Sequence, residues 1–405
     1  MGGVGSCSTG LMLLGAAFSG ALQDRYDAPC VVSAGAILSA LGLAGCAAAT
    51  RAWHLYLTFG FVVGVGHSLM FPPCPVAVAY RFAKSPRAGM ASGLATSGSG
   101  AGTVAVAGAS TAAIAAVGWR NSFLVLAALT LLLVAPASPL LAKPDAAKPA
   151  SGHEEEASKK RPRVVRRPRG ALRAFATVVS VYSYGWEVPF VHAVSFARDS
   201  GYSRLGAASL VVAIGVGGVA GRVFLASLAD RVGEVNMFSA AILTSAVLNA
   251  ALPTIIRLAP LFYAYGALQG SVAGCLIALT TPVAGLCLSE DTTLAEASGL
   301  VFSCMAPGLI VGPIVAGAIR DARGSYVLGF YFAALCYFLA FLLAACSLRP
   351  LLLRRRSPAP TRDAPSSDVP AALDVSVSSS GEEEEEDSCC CPEDPKYEMV
   401  DIRVG

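Results

Sequence analysis

One arginine stands inside an apolar stretch that is long enough to cross a membrane. Arg222 lies in residues 205–233, which read LGAASLVVAIGVGGVAGRVFLASLADRVG. An ionised side chain in hydrocarbon costs at least ~2.5 kcal/mol, so it needs a counter-charge, a water-filled cavity or a ligand. A guanidinium stays charged and offers paired donors that match a carboxylate. Arg222 is therefore the first candidate for binding an organic anion. In the alternative interpretation, its flexible side chain reaches the membrane surface from a depth of ~9 Å.

Four other polar residues fall inside apolar runs and are candidates for contact with a small solute or a proton. Glu187 is the acidic residue that lies well inside such a run. It is predicted to lie ~13 Å from the level of Arg222, which excludes a direct salt bridge but allows a connection through a water-filled cavity. It is a proton acceptor, a residue of the outer leaflet at the mouth of the cavity, or a carboxyl group that stays protonated. His67, Gln269 and Asn249 either form hydrogen bonds between helices or contact the solute.

The composition is that of a membrane protein with many spans. Hydrophobic residues make up 55% of the chain, charged residues 14%, and the mean hydropathy is +0.61. The net charge is only +3, with the positive residues in loops, so nothing supports a nucleic-acid partner. The sequence contains no phosphate-binding loop, no His/Cys spacing for a metal and no identifiable catalytic triad. We therefore expect neither an enzyme nor a cofactor.

Eleven apolar runs have the length of ~20 residues that a spanning helix needs. In the first half they are 4–22, 30–49, 53–79, 89–116 and 121–141, and in the second half they are 172–196, 205–228, 235–256, 260–285, 293–319 and 326–347. The predicted fold is therefore an all-helical bundle that spans a membrane.

The runs divide the chain into two membrane halves and two polar segments. Residues 1–141 form the first half with five spans, and residues 171–348 form the second half with six. Between them, residues 142–170 are predicted to be a disordered linker because they carry charge runs without hydrophobic periodicity. The tail, 349–405, is predicted to be disordered as well. It contains Cys389, Cys390 and Cys391, which are candidates for palmitoylation although they lie far from the last span.

The lysines and arginines outside the spans set the orientation. They concentrate on the side that holds residues 142–170, so the positive-inside rule places this linker and the tail in the cytoplasm. Counting back an odd number of spans then places Met1 outside. The simplest explanations are a missing first span or a genuine eleven-span variant. The expected location is the plasma membrane.

A short polar turn occurs twice, each time just after an apolar run. Residues 20–26 read GALQDRY, and residues 227–233 read SLADRVG. Both resemble the Gly-x-Leu-x-Asp-Arg-x-Gly signature that the major facilitator superfamily carries after the second span of each half. The resemblance implies two pseudo-symmetric halves, a central cavity at the midplane and alternating access by rocking of the halves. It also implies gating, in which inter-half ion pairs of Asp24, Arg25, Asp230 and Arg231 hold the cytoplasmic end closed.

Within that superfamily, four features are similar to the monocarboxylate transporters. Residues 64–102, GVGHSLMFPPCPVAVAYRFAKSPRAGMASGLATSGSGAG, resemble the family's glycine-rich span, proline kink and following loop. Residues 184–203, YGWEVPFVHAVSFARDSGYS, and 312–333, GPIVAGAIRDARGSYVLGFYFA, resemble two further segments. Arg222 stands where the family has the arginine of its eighth span.

The resemblance implies transport of small monocarboxylates such as lactate or pyruvate, with Arg222 as the partner of the anion and a proton as a candidate co-substrate. Two departures bear on this expectation. The family's first span, which carries an intramembrane lysine, has no counterpart, and the aspartate that the family places one turn before the arginine is replaced here by Gly218. Two alternatives therefore stay open: a facilitated carrier of aromatic amino-acid or hormone-like substrates, and a non-transporting regulatory protein. The family also suggests a single-span accessory glycoprotein as partner, besides membrane lipid.

Overall fold

The computed structural model of the protein describes residues 2–82, 85, 87–142, 170–289 and 292–348. They lie within one compact unit, Met1–Ser357. Nearly all of the predicted linker and the whole predicted tail, including the three candidate palmitoylation sites, lie outside the described residues. Every regular element in the described part is helical, as the sequence predicts.

The first half consists of seven α-helices and one π-helical segment. They are α1 (Gly2–Leu14), α2 (Ala16–Arg25), α3 (Ala28–Ala47), α4 (Ala52–Leu55), π1 (Tyr56–Val63), α5 (Gly64–Met70), α6 (Pro73–Phe82) and α7 (Ala88–Ala137), which a 3₁₀ turn at Ser138–Leu141 extends.

The second half contains seven α-helices and two π-helical segments. They are α8 (Gly170–Asp199), α9 (Arg204–Ala220), π2 (Gly221–Leu225), α10 (Ala226–Val232), α11 (Glu234–Ile255), α12 (Ala259–Leu286), α13 (Leu294–Arg323), α14 (Val327–Leu343) and π3 (Ala344–Leu348). Helices suit this composition because a backbone in lipid must satisfy its own hydrogen bonds.

Eight helical segments in the described ranges are long and apolar enough to cross a membrane. They are Ala28–Ala47, Ala52–Phe82, Ala112–Leu141, Arg204–Val232, Glu234–Ile255, Ala259–Leu286, Leu294–Arg323 and Val327–Leu348. The other three predicted spans are helical as well, and they coincide with α1 and α2, the first limb of α7, and α8. Each of the eleven predicted runs therefore has a helical counterpart.

Helix α7 contains two of the predicted spans, joined at one glycine. Gly118 has φ 79° and ψ 160°, a conformation that side-chain-bearing residues rarely adopt. The helix therefore kinks there and separates into limbs 88–117 and 119–137. These limbs agree with the predicted spans 89–116 and 121–141.

The two halves repeat the same irregularity at equivalent positions. Asp24 and Asp230, the aspartates of the repeated turn, are 206 positions apart, and so are Gly15 and Gly221. Regular α-helical structure is interrupted at both glycines, because α1 ends just before Gly15 and π2 begins at Gly221. The repeat seen in the sequence is thus a repeat in backbone structure.

The core of the second half forms around α8, which packs against α13 and α14. The rings of Tyr182 on α8 and Tyr337 on α14 stack with centroids 5.9 Å apart. A Cβ atom built on Gly312 of α13 would stand 2.1 Å from the carbonyl oxygen of Tyr184. Small residues thus allow the backbones to touch, which is how helices associate in lipid.

Candidate functional site

Arg222 lies on π2, where the regular structure of the seventh predicted run, 205–228, is interrupted. Helix α9 ends at Ala220, and α10 begins at Ala226. A π-helical turn fits an extra residue into the helix and changes the direction of the side chains that follow, and such turns are frequent at functional sites. The local fold therefore places Arg222 on an irregular turn in the middle of a membrane-spanning segment.

Glycines bring the neighbouring backbones into contact around this turn. A Cβ atom on Gly93 of α7 would stand 1.7 Å from the carbonyl oxygen of Arg222, and one on Gly274 of α12 would stand 2.3 Å from the carbonyl oxygen of Gly218. No side chain fits at either position. Arg222 is therefore held where α7 of the first half meets α9, π2 and α12 of the second half.

The guanidinium group of Arg222 lies between two glycine surfaces. Its Nη1 atom would be 3.0 Å from a Cβ on Gly100 of α7 and 3.1 Å from a Cβ on Gly218 of α9. The Nε atom is buried without a hydrogen-bond partner, and no carboxylate among the described residues forms an ion pair with the side chain. Arg222 thus offers a charged, unmatched donor set that fits the two oxygens of a carboxylate.

The contact between Gly93 and Arg222 has an equivalent on the opposite side of the molecule. A Cβ atom on Gly299 of α13 would stand 2.4 Å from the carbonyl oxygen of Ala16 on α2. Gly299 lies 206 positions after Gly93, and Arg222 lies 206 positions after Ala16. We call the packing of α1 and α2 against α13 the first interface, and that of α9, π2 and α10 against α7 the second interface.

At one end of each interface, an aspartate of one half contacts the N-terminus of a helix in the other half. The carboxylate of Asp230 accepts hydrogen bonds from the backbone N–H groups of Gly89 at 2.7 Å and Met90 at 3.1 Å. These groups lie in the first turn of α7, where the helix dipole favours a negative charge. Asp24 accepts a hydrogen bond of 2.5 Å from the hydroxyl of Thr293, the N-cap residue of α13.

The arginines of the repeated turn play no part in these contacts. Arg25 lies 5.8 Å from the ring of its neighbour Tyr26, and Arg231 is exposed. No acidic side chain within the described ranges pairs with either arginine. The described contacts of the two aspartates run to the N-terminal ends of helices in the other half, and the inter-half ion pairs stay a prediction.

Ser303 of α13 bridges the break between α1 and α2 in the first interface. Its hydroxyl accepts a hydrogen bond from the backbone N–H of Ala17 at 2.9 Å and is placed to donate to the carbonyl groups of Leu13 and Leu14, each at 3.0 Å. A break in a membrane helix frees backbone groups that must find other partners. One hydroxyl of the second half supplies them here.

Glu187 is half-buried on α8, away from the contacts that surround Arg222. No described residue donates a hydrogen bond to its carboxylate, and it lies close enough to Tyr337 of α14 for an electrostatic interaction. No described contact joins it to Arg222. The spacing of the two residues across the membrane stays a prediction.

Gln269 lies inside the second half rather than between the halves. It is fully buried on α12, where its Oε1 accepts a hydrogen bond of 3.4 Å from Asn249 of α11. Asn249 also donates to the carbonyl of Ser245 and accepts from the hydroxyl of Tyr265 at 3.3 Å. These contacts favour the interhelical role for Asn249, whereas the Nε2 of Gln269 is buried without a hydrogen-bond partner, so contact of Gln269 with a solute stays a prediction.

Two of the four histidines, His67 and His192, differ in their surroundings. His67 is half-buried on α5, and its ring contacts no hydrogen-bonding partner among the described residues. His192 on α8 lies 3.0 Å from the carbonyl oxygen of Pro313, and its ring packs 5.3 Å from that of Tyr326. His192 therefore takes part in packing between helices, and contact of His67 with a solute stays a prediction.

The comparisons with known proteins agree with this architecture. The model of the Major Facilitator Superfamily matches residues 1–233 and 173–380. Monocarboxylate transporter 11 of Mus musculus is 30% identical over 328 residues, which cover 76% of this chain and 70% of that protein. The chain belongs to the monocarboxylate transporter family of this superfamily. With its apolar helices, it is an integral membrane protein.

Other members of the family are similar at the same level. Monocarboxylate transporter 11 of Homo sapiens is 30% identical over 327 residues, and monocarboxylate transporter 10 of Danio rerio is 25% identical over 341 residues. These matches cover 76% and 82% of this chain. The chain spans 66% of the length of each of these two relatives.

Solved structures of the superfamily share the fold. The human organic anion transporter MFSD10 matches with a TM-score of 0.64 and 18% identity, over 84% of this chain and 82% of that protein. The Escherichia coli fucose:proton symporter FucP matches with a TM-score of 0.62 and 16% identity, over 84% of this chain and 90% of that protein. The two-half helical bundle expected from the repeated turn is thereby confirmed.

The sequence analysis did not predict the partners of Asp24 and Asp230, the two aspartates of the repeated turn. Thr293 and Glu296 form a capping box at the start of α13, and the spacing Thr-x-x-Glu before an apolar run is a readable signal for one. The equivalence of Gly93 and Gly299 is also readable from the sequence, because each glycine precedes a leucine and the two lie 206 positions apart. The backbone groups of Gly89 and Met90 carry no such signal, because any residue supplies an N–H.

Proposed function

We propose that this protein carries small monocarboxylates across the membrane by alternating access, with Arg222 binding the carboxylate group. The observation that carries the proposal is the unpaired guanidinium at the second interface, where the two halves meet. A carboxylate would fill two of its donors at once, and charge-assisted pairs of this kind are stronger than neutral hydrogen bonds. The names of the relatives support the same substrate class.

Alternating access fits the contacts between the halves. The contacts of Asp24 and Asp230 lie at the ends of α2 and α10, which the positive-inside rule assigns to the cytoplasm. Closed contacts at that end correspond to a carrier that is open toward the outside. Rocking of the halves would break the two aspartate contacts and expose the site of Arg222 to the cytoplasm.

The test is uptake of radiolabelled substrates by oocytes that express the full chain. We expect uptake of lactate or pyruvate, saturable and inhibited by other small monocarboxylates, above that of water-injected cells. Uptake of aromatic amino acids with no lactate uptake would favour the alternative carrier. No uptake of any compound by cells with verified surface expression would refute transport by this chain.

The role of Glu187 as proton acceptor stays a prediction. If it carries a cotransported proton, uptake should rise when the external medium is acidified, and Glu187→Gln should remove that rise. Uptake of lactate that does not respond to external pH would exclude this role.

We also propose that the protein lies in the plasma membrane with its linker and tail in the cytoplasm. A single-span glycoprotein is a candidate partner for surface delivery. Epitope tags placed in residues 142–170 and 349–405 should both be accessible only after permeabilisation. Accessibility of one tag in intact cells would contradict the proposed topology.

A further inference from the structure

The core of the second half contains a cluster of buried polar groups that the site of Arg222 does not use. The hydroxyls of Tyr182, Ser245 and Tyr337 and the Nε2 of Gln269 are buried without a hydrogen-bond partner among the described residues. All four side chains are 0% exposed, and they come from α8, α11, α14 and α12. Burying a polar group without a partner costs free energy, so four such groups in one core require an explanation.

Three of these groups meet at the phenol of Tyr337. The rings of Tyr182 and Tyr337 are parallel to within 6°, and Ser245 lies next to the phenol of Tyr337. Tyr337 also interacts electrostatically with Tyr182 and with Tyr265 of α12. The hydroxyls of four residues from four helices therefore lie close to one another inside the second half.

The two amides extend this cluster along α12. The hydroxyl of Tyr265 donates to Asn249 at 3.3 Å, and Asn249 donates to Oε1 of Gln269 at 3.4 Å. The amide nitrogen of Gln269 adds two N–H donors that no described residue accepts. Polar sites with several such partners hold internal water, which makes about three hydrogen bonds per molecule. The cluster has the composition of a water-binding site.

Glu187 lies at the edge of the same cluster. It is half-buried on α8, one turn and a half beyond Tyr182, and it interacts electrostatically with Tyr337. A proton acceptor is ionised for part of its cycle, and an ionised carboxylate inside a membrane needs hydrogen-bond donors. No described residue donates to this carboxylate directly, so water held by the cluster is the available donor.

Charged side chains on the surrounding elements lie at helix ends, away from Glu187. Helix α8 packs against α9, α13, α14 and π3. The charged and titratable residues on these elements and on α8 itself are Arg173, Tyr182, Tyr184, His192, Arg198, Asp199, Arg204, Glu296, Cys304, Arg320, Asp321, Arg323, Tyr331, Cys336, Tyr337 and Cys346. Among the described residues, no charged side chain acts on Glu187. Tyr337 is therefore the titratable neighbour through which the cluster reaches it.

We propose that Tyr182, Ser245, Gln269 and Tyr337 form an internal water-binding site, and that its water hydrogen-bonds the carboxylate of Glu187. The site itself stands on the buried donors, whereas its effect on Glu187 rests on the proposed role of that residue as proton acceptor. When Glu187 is ionised, the water donates to it, and the phenols keep their own protons. Tyr337 is thus a positioning residue that acts on Glu187 through water.

The water site can be tested without any substrate. Hydroxyl radicals produced by an X-ray pulse in water labelled with a heavy oxygen isotope oxidise a buried side chain where water is bound beside it. The sample is the purified full chain in lipid nanodiscs, and each rate is divided by that of the unfolded chain. We expect Tyr182 and Tyr337 to be labelled at least roughly tenfold faster than Phe175 and Phe330, which are fully buried on the same two helices.

Equal labelling of the tyrosines and the phenylalanines would overturn the water site and its effect on Glu187. Fast labelling of the tyrosines in a chain that transports no compound would support the site, refute the proposed function and exclude a link to a transported proton. The two failures are therefore distinguishable.

The effect on Glu187 is tested by Tyr337→Phe, which keeps the stacked ring and removes the hydroxyl. Uptake of labelled lactate is measured over a range of external pH. Hydrogen bonds to a carboxylate favour its ionised form, so their loss lets Glu187 hold its proton at higher pH. We expect the pH of half-maximal uptake to rise by about half a unit or more, with the apparent affinity for lactate unchanged.

Tyr331→Phe is the matched control, because Tyr331 is exposed on the same helix. Its pH of half-maximal uptake should not move. No shift in a folded Tyr337→Phe variant, or an equal shift in both variants, would contradict the effect of the site on Glu187. Lactate uptake that does not respond to external pH would contradict it as well. If Tyr337→Phe does not fold, Ser245→Ala removes a hydroxyl next to the same phenol and should give a shift in the same direction.

Discussion

The first and second interfaces have the same backbone arrangement but different chemistry. In both, a glycine at the start of a helix touches the carbonyl of a residue in the other half, Gly299 against Ala16 and Gly93 against Arg222. In both, an aspartate contacts the N-terminal end of that same helix. The first interface presents a methyl group where the second presents a guanidinium. The repeat therefore provides the architecture, and one difference in side chain distinguishes a structural interface from a candidate binding site.

The largest expected effect comes from changing the glycine of the second interface. Gly93→Ala places a Cβ against the backbone oxygen of Arg222, which cannot move away as a flexible side chain would. Overpacking of this kind costs about 1–3 kcal/mol, and here the halves would be forced apart. We expect lactate uptake to fall about tenfold or more at normal surface expression.

The control is Gly98→Ala on the same helix, because a Cβ there meets nothing within 4 Å. It should transport like the unmodified protein. Equal loss in both variants would indicate a general intolerance of α7 to larger residues and would remove the interface as the cause. Gly299→Ala tests whether the first interface obeys the same constraint, and we expect a similar loss.

The second effect concerns the group that distinguishes the two interfaces. Arg222→Lys keeps a positive charge but loses the planar pair of donors, so bidentate binding of a carboxylate should fail. The loss of such a contact should cost about 1.5–3 kcal/mol, or roughly tenfold or more in apparent affinity. Uptake measured over a range of lactate concentrations gives this value.

Arg231→Lys is the matched control, since Arg231 is exposed just beyond the same interface. Its apparent affinity should not change. If Arg222→Lys binds lactate with unchanged affinity, the side chain of Arg222 reaches the membrane surface instead. Arg222 would then not be a substrate-binding residue.

A smaller effect is expected from the aspartates, and it should differ between the interfaces. Asp230 interacts directly with backbone N–H groups in the first turn of α7, whereas Asp24 contacts the hydroxyl of Thr293. A negative charge at a helix N-terminus contributes about 0.3–1 kcal/mol of stabilisation, and up to about 2 kcal/mol when the charge is partly buried. Asp230→Asn should therefore shift the carrier toward the inward-open state more than Asp24→Asn does.

Spin labels at the end of α2 and the start of α13, and at the start of α7 and the end of α10, report this shift as a population of longer distances. Equal populations in the two variants would mean that the helix N-terminus and the hydroxyl are equivalent partners. Populations identical to the unmodified protein would exclude both aspartates from holding this end closed.

The smallest effect is expected for Ser303→Ala. The variant removes the hydroxyl that joins α13 to the break between α1 and α2. Interhelical hydrogen bonds in membranes average about 0.6 kcal/mol. The thermal unfolding midpoint in detergent should fall by a few degrees at most, with lactate affinity unchanged. A loss of affinity would show that the first interface affects the site at the second.

The sequence predicted the fold well because its strongest signals are local. Each predicted run of about 20 apolar residues corresponds to a helical segment, and the paired Leu-x-Asp-Arg turns revealed the two halves. Arg222 was identifiable because a charge in an apolar run is costly. Gln269 was a weaker prediction, since a polar residue in a span gives the same signal whether it faces a cavity or another helix. Its position between α11 and α12 required the structure.

The partners of the signature aspartates show a different limit. Arg25 and Arg231 are adjacent to the aspartates in sequence, which made ion pairs the obvious prediction, but the described contacts go to helix N-termini from the other half. Such contacts depend on how distant segments meet. No local pattern at residues 24 or 230 encodes the identity of a helix that begins more than a hundred residues away.

The second limb of α7 and its equivalent in the second half differ in how much protein surrounds them. Only 11% of the apolar window of Ala112–Leu141 is buried, against 44% for Val327–Leu348. Leu132 and Leu133, 69% and 64% exposed, therefore face acyl chains. This limb therefore depends on its annular lipids to a degree that Val327–Leu348 does not, and bilayer thickness acts directly on its tilt. Short-chain detergents that cover such a surface poorly would destabilise this limb before Val327–Leu348.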